Sequence, residues 1–587
     1  SYIGLFGSLN SATITNLGLI DVYINGLNGV GSLTGWETGA GGVIQNVYAT
    51  GSVSGDWQVG GLAGLSKSSI NQSYAAVNVA GKHDDLGGLV GQNKGNINNA
   101  YATGNVTSTG TNSVMGGLIG ANYAGNVEHT YASGLVSGTG QVGGLVGVVF
   151  GGSISNSFWD TQTTNQSVGI AFNGGTVSNV VGDTTSNLMT QSTYSSAGWD
   201  FTNTWWMSDT NTRPYLRMEY NTNIANTHQL QLMAMDLDAN YKLVNNLDFS
   251  SDFNAPSTMW SAKGFVPIGS DTAVFTGTFD GLNHTINTLF LNRPTTDYVA
   301  LFGYIDNGST IDNVMLSNID ITGQSYVGGL VGFSQSQTST TGNSISNAMV
   351  SGTVTGTDSF IGGLIGYSYS AINNSYADVK VTGVDNVGGL VGEHQGIIQG
   401  SGANGDVIAT GINGKAGGLV GSTNHSSVSY ASPITKSYAN GNVTADIAGG
   451  LVGYNTQTDI KESYAIGNVA ATVYGGGLVG QQFQATVSDS YATGDVSGTG
   501  LLGGLVGLND AAFIDNAYAI GTVSGTGSLG GLVGTNSNGS NINNSFWNID
   551  TTGQSSIGIN DTASTITNSV GKTTADMKKI ATFSSAG

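Results

Sequence analysis

The chain has 587 residues and a formal net charge of −21, from 36 acidic against 15 basic side chains. That balance excludes a nucleic-acid binder, which needs clustered Lys and Arg to displace counterions from phosphates, and it opposes docking on anionic membranes. The absence of cysteine removes disulfides and thiolate metal sites, while 39% hydrophobic residues and five prolines against 94 glycines argue for a packed interior and against collagen or wholesale disorder.

From Ser1 no signal-like stretch appears, and no run approaches the roughly 18 apolar residues of a membrane-spanning helix; the chain reads as a fragment of something longer. In chain order the dominant landmark is the phrase GGL-x-G, at Gly60, Gly87, Gly116 and Gly143, and again at Gly328, Gly362, Gly388, Gly417, Gly449, Gly476, Gly503 and Gly530. Successive copies are 27, 29 and 27 residues apart in the first set, and 34, 26, 29, 32, 27, 27 and 27 apart in the second. A second landmark follows in phase: Tyr and a small residue, at Tyr74, Tyr101, Tyr131, Tyr376, Tyr464, Tyr491 and Tyr518, then phrases such as YATGDVSGT.

Within each period the apolar residues alternate over short runs bounded by Gly or Asn, which suits strands and is too short for helices. Each period of about 27 residues is therefore predicted to be one coil of an all-β, parallel β-solenoid, two or three strands long and stacked about 4.8 Å from the next. Leu and Val of GGLVG are expected to line the interior as one ladder and the seven tyrosines to form another. Gly60, Gly61, Gly64, Gly87, Gly88, Gly91, Gly143, Gly144, Gly147, Gly503, Gly504 and Gly507 are expected at the turns, allowing positive φ and close backbone approach. Longer spacings come from polar insertions, 333–344 and 423–435, expected to bulge from coil corners.

A larger repeat contains the smaller one. SFWDTQTTNQSVGI at Ser157 matches SFWNIDTTGQSSIGI at Ser545, and GDTTSNLMTQSTYSSAG, ending at Gly198, matches GKTTADMKKIATFSSAG, ending at Gly587. Two tandem units are predicted: 1–220, closing in a Trp-rich cap over 199–220, and 298–587, with an irregular start to the second unit over 221–297 that includes a short helix and then a strand.

Chemical motifs are weak. GTGQVG at Gly138, GTGLLG at Gly498 and GTGSLG at Gly525 fit G-x-G-x-x-G, but each recurs at the coil period and precedes a strand, so no nucleotide cofactor is expected. The histidines, His83, His129, His228, His284, His394 and His425, show no H-E-x-x-H spacing, and no metal site is expected. Asp84 with Asp85, Asp236 with Asp238, and Asp306, Asp312 and Asp320 are the acids considered for a glycosidase-like site; solvated loops account for them better. No catalytic residue is assigned.

The G-G-L-V-G…S-Y-A-T-G-x-V pattern, together with the unit start QLQLMAMDLDANYKLVNNLDF and the unit end SFWDTQTT…WDFTNTWWM…RPYLRMEY, resembles the GLUG-motif repeats of large bacterial exoproteins of the filamentous-haemagglutinin kind. That resemblance implies a right-handed β-helix, export through an outer-membrane secretion pore, an extracellular or cell-surface location, and adhesion without enzymatic activity. It implies partners among host-cell, matrix or glycan ligands. Identical subunits joined end to end in a filament, or a scaffold within a surface peptidase or polysaccharide-active β-helix, are the other readings. Neither nucleic acid nor direct membrane insertion is expected.

Overall fold

Strands of three to five residues cannot satisfy their backbone within one period, so their hydrogen bonds must be found one period away. The computed structural model describes residues 2–254, 258–335, 342–424 and 432–584, and its strands pair in this way. Ile97–Ala102 lies parallel between Ser69–Gly81 and Asn126–Ala132, with Tyr101 opposite Tyr74 on one side and Tyr131 on the other. The result is an all-β solenoid of about 20 stacked parallel turns. Two compact units are present: Ser1–Tyr220 with Ser251–Gly264, and Asn221–Ser250 with Phe265–Gly587. Among the described residues the first has parallel sheets of seven, nine and five strands, and the second has sheets of 13, 23 and 10.

The leucine of each glycine phrase points inward. Leu62, Leu89, Leu118 and Leu145 are fully buried, as are Leu330, Leu364, Leu390, Leu419, Leu451, Leu478, Leu505 and Leu532. Their amides also form an axial ladder: Leu62 N donates to Leu89 O at 2.8 Å, Leu89 N to Leu118 O at 2.8 Å and Leu118 N to Leu145 O at 2.9 Å.

The tyrosines do not line the interior. In each Tyr-Ala pair the alanine faces in: Ala75, Ala102 and Ala132 belong to the hydrophobic core of the first unit, whereas Tyr74, Tyr101 and Tyr131 do not. Neighbouring side chains on a strand point to opposite faces, so an inward alanine sends its tyrosine outward. The inward position has room for little more than alanine, because it faces the second glycine of the phrase. A Cβ on Gly88 would lie 2.9 Å from the Ala102 Cβ and 2.1 Å from Gly117 O.

The glycines act through that close approach and not through positive φ. Among the described residues, none of Gly60, Gly61, Gly64, Gly87, Gly88, Gly91, Gly143, Gly144, Gly147, Gly503, Gly504 and Gly507 has a positive φ. The left-handed corners fall instead on the residue two before the tyrosine or its counterpart: Asn46, Asn99 and His129 in the first unit, Asn374, Asp489, Asn516 and Asn544 in the second, all with φ between 47° and 55°. Asn and Asp tolerate this region best because their short side chains hydrogen-bond locally. Two polar ladders accompany them inside. Asn93 donates to Asn122 at 2.8 Å, and Asn509 to Asn536 at 2.6 Å, which donates to Asn560 at 2.7 Å. Ser401, Ser437, Ser463 and Ser490 each accept, through the hydroxyl, a backbone N–H from the preceding coil at 3.1–3.3 Å.

The segment 199–220, expected as a cap, packs on outward-facing rings of the first unit, with Trp205 6.3 Å from Tyr101 and 6.2 Å from Tyr131. Late in each unit Tyr-Ala becomes Phe-Trp, and Trp159 and Trp547 take the inward place of Ala132 and Ala519. The Trp159 indole lies so close to Gly144, Gly169 and Gly182 that a Cβ on any of them would come within 2.4 Å of it. Its Nε1 donates to Gln166 O at 3.0 Å, as that of Trp547 does to Gln554 O at 3.0 Å. A large ring thus fills the small inward position once in each unit. At the start of the second unit, the Asn226 side chain accepts from Gln229 N and caps the helix Thr227–Leu232, whose Leu230 and Leu232 are buried; the strand Asn240–Leu243 follows. The insertions 333–344 and 423–435 include residues outside those described.

Candidate functional site: outward aromatic rows

Outward tyrosines on successive coils are forced into register, and their rings stack. In the first unit Tyr48, Tyr74, Tyr101 and Tyr131 follow one another at centroid distances of 5.1, 4.7 and 4.9 Å, within 4° of parallel. In the second, Tyr438, Tyr464, Tyr491 and Tyr518 do so at 5.4, 5.2 and 5.0 Å. Tyr376 stands apart, 6.3 Å from Tyr438, because the intervening coil carries Gly402 at that register.

The two ladders differ in exposure. Tyr74, Tyr101 and Tyr131 are buried, although they lie outside the solenoid core. The Trp-rich segment runs along this side wall as a strap. Trp205 contacts Tyr101 and Tyr131 at 6.3 and 6.2 Å, and Trp199 contacts Tyr131 and Phe158 at 6.3 and 5.9 Å. Polar anchors fix it: Trp205 Nε1 donates to Asn99 Oδ1 at 3.2 Å, Trp199 Nε1 to Asn156 O at 3.0 Å, Tyr101 OH to Glu219 Oε1 at 2.8 Å and Tyr131 OH to Pro214 O at 2.8 Å. At its centre Arg213 Nη2 meets Asp160 Oδ2 at 2.6 Å, both side chains wholly buried. Burial alone would raise the Asp160 carboxyl; Arg213 and the hydrogen bonds from Thr185 and Thr163 bring it below its ordinary range. Burial likewise pushes the Tyr101 phenol well up, with the Glu219 charge adding to it.

A further pair of aromatic rows, unnoticed in the sequence, lies on another wall of the second unit. Tyr298, Tyr326 and Phe360 stack at 4.9 Å per step. Beside them run Tyr304, Phe333 and Tyr367, at 4.8 and 5.1 Å per step. The rows interlock edge to face, Tyr326 against Phe333 and Phe360 against Tyr367, each at 5.4 Å. All six rings are half-exposed. The first row sits at φ of 60°, 56° and 66°, a left-handed conformation that costs a bulky residue about 1–2 kcal/mol. The next coil has Asn386 at this register, with φ of 51°.

A polar patch terminates the rows. Gln395 Nε2 donates to Tyr367 OH at 2.6 Å, Tyr367 and Tyr369 hydroxyls meet at 3.2 Å, and Asn386 Nδ2 donates to Glu393 Oε2 at 3.0 Å. Burial raises the Glu393 carboxyl, against the lowering effect of Tyr367, Gln395 and Lys415. Lys415 pairs with Asp385 at 3.0 Å. The equivalent wall of the first unit stacks Tyr2 on Trp36 at 4.7 Å and Trp57 on His83 at 4.5 Å. There Asp85 accepts from Gln92 at 3.2 Å, and burial, with Asp84 beside it and Lys94 opposing, raises its carboxyl to about 7.

The other acids and histidines serve locally. Asp238 accepts from Thr276, and Asp312 from Ser346 and Asn347 at 2.8 and 2.9 Å. Asp306 accepts from Asn307 N at 2.7 Å, and Asp320 is paired in the sheet between Phe290 and Thr353. His129 lies 6.1 Å from Trp199, and His284 Nδ1 is 3.1 Å from Asn246 Oδ1; His425 is outside the described residues. Among the described residues no three His, Asp or Glu side chains are grouped as a metal ion would need.

Three segments, residues 85–107, 447–470 and 471–497, match the GLUG motif family. A stretch of 108 residues, 17% of the chain, is 36% identical to halomucin of Haloquadratum walsbyi (strain DSM 16790 / HBSQ001), of which it spans 1%. The fold is also similar to a solved structure described as a "putative immunoglobulin A1 protease" of Bacteroides ovatus, at 22% identity and a TM-score of 0.34, over 42% of this chain and 76% of that one. At that score the likeness says nothing of activity.

Proposed function

We propose that the chain is the repeat scaffold of an extracellular, filamentous-haemagglutinin-like surface exoprotein that attaches to cells, matrix or other surfaces through many weak contacts. The observation that carries this reading is the double row Tyr298–Tyr326–Phe360 and Tyr304–Phe333–Tyr367, whose first row is held outward on left-handed backbone. Other coils carry Asp85 or Asn386 at this left-handed corner, which such residues tolerate better, so bulky rings kept there point to a functional use. Flat rings carrying hydroxyls fit ligands with one apolar face and polar edges. With 36 acidic against 15 basic residues the chain repels polyanions, so uncharged glycans are the favoured class. The GLUG segments and the stretch shared with halomucin support a surface setting. Export through an outer-membrane pore belongs to the same reading, which gives the chain no catalytic step.

The test is binding of the whole chain to arrays of uncharged glycans and matrix proteins, beside the double variant Tyr326→Asn/Phe360→Asn. Asparagine already occupies this register at Asn386, so the variant keeps the fold. Saturable binding to at least one class, weakened tenfold or more by the variant, is expected; binding that ignores the variant sinks the proposal. A second reading, axial self-assembly, has its own support: the last coils of the first unit leave Phe172, Val177 and Val181 at 50%, 37% and 38% exposure. Fibres that lengthen with concentration under the electron microscope would put that reading first.

A further inference from the structure

The first unit has a gap at one corner of its wall. Ile3 pairs with Val30, Val30 with Val59 and Val59 with Leu86, so the residues before them, Tyr2, Gly29, Gln58 and Asp85, share one register. Gly29, Gln58 and Asp85 all take the left-handed corner, at φ of 61°, 54° and 64°. Gln58 and Asp85 fill it with a side chain. At Gly29 there is no room for one, because a Cβ would lie 2.6 Å from Tyr2 Cδ1. The Tyr2 ring leans over the glycine and stacks on Trp36 at 4.7 Å and 27°.

Beside this glycine is an open cavity of about 380 Å³, lined by Tyr2, Asn28, Trp36, Trp57 and Gln58. The adjoining coils carry Ser8 and Leu65 at the Trp36 register, and Asn28 and Asp84 at that of Trp57, so both indoles are particular to this corner. Each is backed by a second ring: Trp36 by Tyr2, and Trp57 by His83 at 4.5 Å and 25°. Backing fixes the plane of each indole in advance, and a rigid, preordered surface loses little entropy on binding. Trp57 is 43% exposed and Tyr2 47%.

The polar part of the lining is two carboxamides. Asn28 is exposed, and Gln58 is steadied by its Nε2, which donates to Gln92 Oε1 at 3.4 Å. A carboxamide presents a donor beside an acceptor, the pattern that neighbouring hydroxyls match. No charged side chain lines the cavity, and Asp56, next to Trp57, pairs with Lys82 at 2.9 Å. An ammonium guest would call for a lining carboxylate, and a phosphate or sulfate for clustered cations.

We infer that this corner binds one uncharged pyranose residue, its apolar C–H face laid on an indole and its hydroxyls bonded to Asn28 and Gln58. The site uses none of the rings that carry the surface-attachment proposal, so either can fail without the other.

The probes are the methyl glycosides of glucose, galactose, mannose and N-acetylglucosamine, titrated against the whole chain by saturation-transfer NMR. At least one should give a saturable signal, strongest at the ring protons of one face. Trp57→Ala removes a half-exposed ring outside the core and should weaken binding at least tenfold. Gly29→Asn keeps a residue that accepts left-handed backbone and fills the corner, and it should abolish binding. Tyr326→Asn/Phe360→Asn, in the second unit, should leave the signal unchanged. Three results would overturn the inference: no saturable signal from any of the four glycosides, binding that survives both first-unit variants, or a signal lost with the second-unit rings. Tetramethylammonium is the remaining probe. If it saturates the cavity where the glycosides do not, the corner is an aromatic cage for cations and the sugar assignment is wrong.

Discussion

At the scale of single residues, position within the coil decides what each side chain can do. Asp85 and Asn386 share a left-handed register with Tyr326 and Phe360, at φ of 64° and 51°. An acid there is turned toward a neighbouring glutamine and left largely buried. Burial, with Asp84 close by and Lys94 opposing, raises the Asp85 carboxyl from 3.8 to about 7. Between those values the folded chain holds a proton that the unfolded chain has released. Stability from this group is therefore present at low pH and is lost as pH rises through the window, at up to about 1.4 kcal/mol per pH unit. Urea denaturation from pH 4 to 8 should show that decline in the wild type and a flatter profile in Asp85→Asn; parallel profiles would contradict it. Much at this scale is legible in sequence: GGL-x-G announces inward leucines and glycines under tight contact. The orientation of Tyr-Ala is not, because alternation fixes only that the two residues face opposite ways. The cramped space opposite the second glycine decides which one is inside, and that glycine lies in another strand.

At the scale of elements, the strap shows how a short aromatic segment stabilises a wall it does not belong to. Trp205 is wholly buried, 4.3 Å from Trp199 and over the Tyr101–Tyr131 step. Trp205→Ala should destabilise the first unit by about 3–5 kcal/mol, read in urea. It should also bring the Tyr101 and Tyr131 phenols closer to ordinary titration, read by ultraviolet absorbance at alkaline pH. A stable protein whose tyrosines still resist ionisation would show that the strap is not what covers them. Tryptophan density at 199–206 marks a special element in the sequence, yet its place on the flank and not across the end depends on contacts about 100 residues away. Trp159, which fills the inward place, is announced only by a changed dipeptide, Phe-Trp for Tyr-Ala. The double row of the second unit is harder still to read: Tyr298, Tyr326 and Phe360 are 28 and 34 residues apart, and the spacing hides that they are neighbours.

At the scale of the whole molecule, a solenoid multiplies whatever one coil presents. Axial backbone ladders fix ring spacing near 5 Å, so the aromatic rows repeat one contact from coil to coil. Such contacts are individually weak and gain strength when engaged together. The direct measurement is attachment of beads coated with the full chain at graded density to a surface bearing the glycan or matrix class selected by the array. The account predicts that attachment rises more steeply than in proportion to density, and that Tyr326→Asn/Phe360→Asn abolishes the rise at equal coating. Attachment that merely follows density, or that survives loss of the two rings, would contradict multivalent binding through this face.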